Sequence, residues 1–130
     1  MTLLRTSFFV ALLFFNPRLI GGQGKDPSAS DASAALVRGG VAVYATLSNP
    51  SMYDVFVQAG ISDAGKVELR DGDKPTSNLQ VPSFGSLELK AGGPYVFITD
   101  LKGQPKAGDT IKVTLNTDGG AAIAVAAVVK

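Results

Sequence analysis

The chain has 130 residues, 45% hydrophobic and 18% charged, a balance that fits one globular domain and excludes a disordered protein. It contains no cysteine and no histidine. That removes disulfides, thiolate metal sites, a catalytic or lipid-bearing Cys, the commonest general base and the commonest metal ligand. The net charge of +1 becomes −1 when residues 1–24 are set aside, because Arg5 and Arg18 leave with them and ten basic residues face eleven acidic ones. No basic stripe remains to attract nucleic acid or an anionic membrane.

Residues 1–24 have the three parts of a secretory signal. Arg5 gives a positive start, Ser7 to Phe15 is a short apolar run broken by Asn16-Pro17, and small residues follow at Gly21, Gly22 and Gly24. The run is far short of the roughly 20 residues a membrane span requires. Phe8, Phe9, Phe14 and Phe15 would cover every face of a helix instead of forming one stripe. Export to the periplasm or beyond the cell is the expectation, with no membrane span in the mature chain.

Residues 25–40 begin with the small, polar, aperiodic stretch Lys25 to Ala35 and read as a linker and lead-in to a domain at 41–130. Short strand candidates follow in order. Val41 to Leu47 is a nearly continuous apolar run ended by Asn49-Pro50, and Asp54 to Ala59 is ended by Gly60. Lys66 to Arg70 alternates, with Val67 and Leu69 on one side, before the Asp71-Gly72-Asp73 turn. Ser86 to Lys90 places Leu87 and Leu89 inward, and Tyr95 to Thr99 follows Gly92-Gly93-Pro94. Thr110 to Asn116 sets Ile111, Val113 and Leu115 on one face.

The last segment, Ala121 to Val129, is alanine-rich and helical by propensity. Its Ile and Val residues and the preceding Asp118-Gly119-Gly120 turn favour a strand paired with Thr110 to Asn116. Period-two patterning with regular Gly, Pro and Asp punctuation predicts an all-β antiparallel sandwich. Its expected core is Tyr44, Leu47, Val67, Leu69, Leu87, Leu89, Ile111, Val113, Leu115 and Ile123.

Three blocks, Ala45 to Pro50 (ATLSNP), Lys66 to Leu69 (KVEL) and Val81 to Gly108, resemble the periplasmic copper chaperones of the PCu(A)C family. The densest agreement lies between Leu87 and Asp109, where Leu101-Lys102, Pro105 and Gly108-Asp109 fall in order. The resemblance implies a cupredoxin-like β-sandwich, no enzymatic activity, and kinship with proteins that pass Cu(I) to cytochrome oxidase. It also implies a copper site of soft ligands in the pattern H-x10-M-x21-H-x-M.

Carried over residue by residue, those four ligand positions fall on Arg70, Asp73, Tyr95 and Phe97. Lys74-Pro75 supports the register, although the loop before Asp73 is shorter than the family's. None of the four is His or Met, and Met52 is the only methionine after the signal. The expectation is a degenerate metal site with no cofactor, so the chain reads as a chaperone-like protein with its copper site lost. The alternative is a protein-binding or structural module of the periplasm or cell envelope.

Other readings of these residues stay open. Asp71 and Asp73 offer two carboxylates to a hard cation or simply form a solvated turn. Arg70 with Tyr95 suits an anion or a partner's carboxylate, or is an exposed strand end. Tyr95 and Phe97 fill the space of the absent metal or form a contact patch. The expected partner is another exported protein or an oxidase assembly factor.

Overall fold

The computed structural model describes residues 26–130; the segment expected as a signal lies outside them. These residues contain ten strands and no helix. In chain order they are β1 (Ser28–Val37), β2 (Gly40–Asn49), β3 (Val55–Ser62), β4 (Lys66–Asp71), β5 (Lys74–Pro75), β6 (Leu79–Val81), β7 (Gly85–Glu88), β8 (Pro94–Thr99), β9 (Thr110–Thr117) and β10 (Ala122–Val129). They pair in the order β5-β4-β8-β2-β1-β10-β9-β3-β6, with β7 on β2.

The path rolls over on itself so that its two halves close on one core, the sandwich expected from the patterning. Val41, Val43, Ala45 and Leu47 of β2, Val96 and Ile98 of β8, and Leu69 of β4 come from one half. Val57, Leu79, Val81, Ile111, Val113, Leu115, Ile123 and Val125 come from the other. At about 25 cal/mol per Å² of apolar surface removed from water, this cluster is the main source of stability.

Pairing is antiparallel except where β1 meets β10, with Ser33 opposite Val128 and Ala34 opposite Val129. A parallel pair needs a long crossover. The two terminal strands have the whole domain as theirs.

The final segment is a strand, with Ala122 opposite Asn116 and Val128 opposite Thr110. Every second residue from Ile123 to Val129 enters the core. Tertiary pairing overrides the helical propensity of alanine here.

Three expectations need correction. Ser28–Val37, read as a linker, is β1, bonded to β2 on one side and touching β10 on the other. Its Ser and Ala side chains give no hydrophobic alternation to read, and a register shift between Ser30 and Ser33 breaks what little there is. β3 does not stop before Gly60 but runs to Ser62. Gly60 marks a close approach, since a Cβ there would fall 2.6 Å from Cγ1 of Val67.

Tyr44 is not a core residue. β2 sends Val41, Val43, Ala45 and Leu47 inward, so Tyr44 lies half-buried on the opposite face. Of the remaining expected core positions, Leu47, Leu69, Leu89, Ile111, Val113, Leu115 and Ile123 are buried, while Val67 and Leu87 are half-buried against the cluster.

Candidate functional site

Pairing of β4 with β8 sets Arg70 opposite Tyr95 and Glu68 opposite Phe97. Pairing of β2 with β8 sets Ala42 opposite Phe97. Residues two apart on a strand share a face, so Glu68, Arg70, Tyr95, Phe97, Ala42 and Tyr44 share the outer face of this half-sandwich. The Tyr44 and Tyr95 rings lie 6.3 Å apart, as do those of Tyr95 and Phe97, the latter pair edge-on. Such geometry lets the positive ring edge meet the negative ring face.

The guanidinium carbon of Arg70 stands 4.7 Å from the centroid of Phe97. Its Nε donates to Glu68 Oε2 at 3.0 Å. The Glu68 hydrogen bond is the main reason that the Arg70 pKa lies above its ordinary value; burial opposes the shift. Arg70 is therefore a fixed cation lying on an aromatic face.

Phe97 is only 8% exposed. Arg70 covers one side of its ring, and the Gly39-Gly40 turn approaches the rim; a Cβ on Gly40 would stand 3.2 Å from its Cζ.

Asp73 reaches this region by another route. Asp71 and Lys74 are paired, leaving Gly72-Asp73 as a two-residue hairpin loop. Gly72 has φ +67°, the left-handed conformation that such loops demand at their first position. Its N–H donates to the Gly93 carbonyl at 2.9 Å. The Asp73 backbone oxygen lies 3.5 Å from Arg70 Nη1, while Asp71 and Asp73 are both exposed.

Arg70, Asp73, Tyr95 and Phe97 thus line one shallow concavity of about 320 Å³, together with Val37, Arg38 and Tyr44. The strand period of β8 foretold that Tyr95 and Phe97 would share a face, whereas Arg70 was joined to them only by the resemblance to the copper chaperones. Sequence reasoning missed Tyr44, Arg38 and Glu68. The period of β2 relative to its buried Val residues carried the signal for Tyr44. Nothing local signalled Arg38, which reaches the concavity from the β1–β2 turn.

Chemically the face suits stacking and hydrogen bonding, not soft-metal ligation. Arg70 has no lone pair to give, Phe97 has no donor atom, and the Asp73 carboxylate is a hard ligand. Among the described residues no group of three or more His, Cys, Asp or Glu side chains converges. The residues present do not fit Cu(I).

No curated protein matches the sequence. Among solved structures, the fold is similar to the copper-bound PCuAC domain from PmoF2, with TM-score 0.69 and 14% identity over 78% of this chain and 90% of that one. It is equally similar to the apo PCuAC domain from PmoF1, at TM-score 0.69 and 18% identity over 78% and 91% of the two chains. The solution structure of CuI-DR1885 from Deinococcus radiodurans matches with TM-score 0.66 and 28% identity over 78% of each chain. The family described as "Putative lipoprotein LpqE-like" matches residues 28–129. With that match spanning β1 to β10, the chain belongs to the LpqE-like family and has the PCuAC fold.

Proposed function

We propose that this protein is an exported, non-enzymatic member of the copper-chaperone fold that docks another exported protein instead of carrying Cu(I). One observation carries the reading. At the positions matching the copper ligands, a guanidinium fixed by Glu68 lies 4.7 Å over a phenyl ring. A permanent cation repels a metal ion, and its stacking partner has no atom that coordinates one.

What replaces the metal site is rich in Tyr and Arg, the residue types over-represented at binding hot spots. Tyr44, Tyr95, Arg38 and Arg70 around one concavity suit a partner segment offering a carboxylate or a flat apolar group. A role in copper delivery to cytochrome oxidase would then be that of a partner to a copper carrier or an assembly factor. The secretory pattern of residues 1–24 and the family's description as lipoproteins support export. These 130 residues hold no cysteine to which a lipid thioether could be attached.

The test is an anaerobic Cu(I) titration against a competing chelator. The competitor should keep all the metal. One-to-one binding that survives the chelator would overturn the proposal.

A further inference from the structure

Three of the four most exposed large apolar side chains among the described residues sit together at one end of the sandwich. They are Met52 at 64%, Tyr53 at 72% and Phe84 at 74% exposed. With Pro50 and Ser51 they surround a small concavity of about 270 Å³.

The loops bearing them are firmly built. Asn49, 1% exposed, donates through Nδ2 to the carbonyls of Tyr53 at 2.8 Å and Val81 at 3.0 Å. Its Oδ1 accepts from Ser51 N and Oγ at 3.0 and 2.7 Å. Asp54 accepts from Ser83 N and Gln80 Nε2, both at 2.9 Å. Phe84 N donates to Ser51 O at 3.0 Å, and Phe84 has φ +54°, a left-handed conformation that a bulky side chain rarely adopts. The fold thus tolerates strain to hold a phenyl ring outward, and strain of that kind collects at functional positions.

The chain also enters the domain at this end. Ser28 is opposite Ser48, and Gly85 is opposite Asn49. About a dozen residues (16–27) separate the apolar run ending at Phe15 from β1, a reach of up to roughly 40 Å. Until the signal is cleaved, a chain delivered to a membrane by that run has Met52, Tyr53 and Phe84 at the end of the domain nearest the bilayer and within that reach of it.

We propose that this tip is a shallow bilayer contact, with the three side chains seated at the boundary between headgroups and acyl chains, where aromatic residues are favoured. The loops at this end contain no Lys or Arg, whereas Asp54 and Asp118 lie there. The contact is accordingly apolar, indifferent to salt and independent of anionic lipid. A second copy of the chain is the poorer occupant. The three side chains offer roughly 500 Å², against about 800 Å² per partner in a stable dimer.

The sequence lacks tryptophan, so Phe84→Trp in the full chain gives a single reporter. With neutral phosphatidylcholine vesicles its emission should shift to the blue and be quenched by shallowly brominated lipid, unchanged in high salt. Ile61→Trp, at a position 66% exposed and near the other end of β3, should stay unquenched. This control separates tip contact from capture by the N-terminal run. Adding Met52→Ser and Tyr53→Ser to the Phe84→Trp protein should abolish the shift without changing its melting, because Asn49 holds only the backbone of Tyr53. An unshifted, unquenched Phe84→Trp emission with vesicles, equal quenching of the Ile61→Trp protein, dependence on anionic lipid, or a vesicle-free shift that grows with protein concentration would each overturn the proposal.

Discussion

At the scale of single residues, chemistry decides what the four positions taken from the resemblance to the copper chaperones can do. Their four side chains line one concavity, and none of them is a soft ligand. Replacing Arg70, Asp73, Tyr95 and Phe97 together with His, Met, His and Met should therefore create measurable Cu(I) affinity in the chelator assay. Asn49 is a second decisive residue. Its amide satisfies two backbone carbonyls and ties Ser51 to β2. Asn49→Ala leaves those buried groups unpaired and should cost about 2–3 kcal/mol, read by urea denaturation. Leu89, 3% exposed, was legible from the alternation of Ser86 to Lys90. Leu89→Ala should cost about 2–5 kcal/mol, and a loss under about 0.5 would place it on the surface.

At the scale of strands, two places show how close packing sets what each position accepts. Gly40 begins β2 against β8, and a Cβ there would run into the Ile98 carbonyl. Backbone cannot move aside as a flexible side chain can, so Gly40→Ala should destabilise by about 2–3 kcal/mol, with Phe97 displaced as well. The other place is β1. It joins the two halves of the sandwich, Ala34 is 1% exposed, and the Lys130 N–H donates to the Ala34 carbonyl at 3.0 Å. A protein beginning at Gly40 loses that seam and exposes the facing edges of β2 and β10. It should fail to unfold cooperatively and should aggregate, a result a dispensable linker would not give. Strands with one wet face announce themselves by alternation, as β4, β9 and most of β10 do. Seven of the ten residues of β1 are Ser or Ala, whose burial depends on neighbours contributed by distant sequence.

At the scale of the molecule, the polarity of the two ends matters more than its near-neutral net charge. The chain enters beside the Met52, Tyr53 and Phe84 tip, while Arg38 and Arg70 border a concavity on the outer face of β4, β8 and β2. A protein held at a bilayer by the first would keep the second open to a partner. Export itself is open to a direct check. Mass spectrometry of protein from its native host should show a mature chain starting close to Lys25, and an intact Met1 in the cytoplasm would contradict it.

Composition and local period by themselves determined the class. Absence of His and Cys removed the usual metal and catalytic chemistry, and period-two runs defined most strands and six buried core residues, with Leu47 added by the continuous apolar run of β2. The same period put Tyr95 and Phe97 on one face, since residues i and i+2 on a strand have no alternative. Only tertiary structure decided that Tyr44 joins them instead of entering the core, and that Ser28–Val37 is the seam of the sandwich. It also decided that Arg70 lies over Phe97 and that Met52 and Phe84 meet at one tip. In each of these cases the partners come from separate strands or loops. Their meeting depends on which strands pair and in what register, and that is fixed by the burial of the whole core at once, not by any stretch of sequence alone.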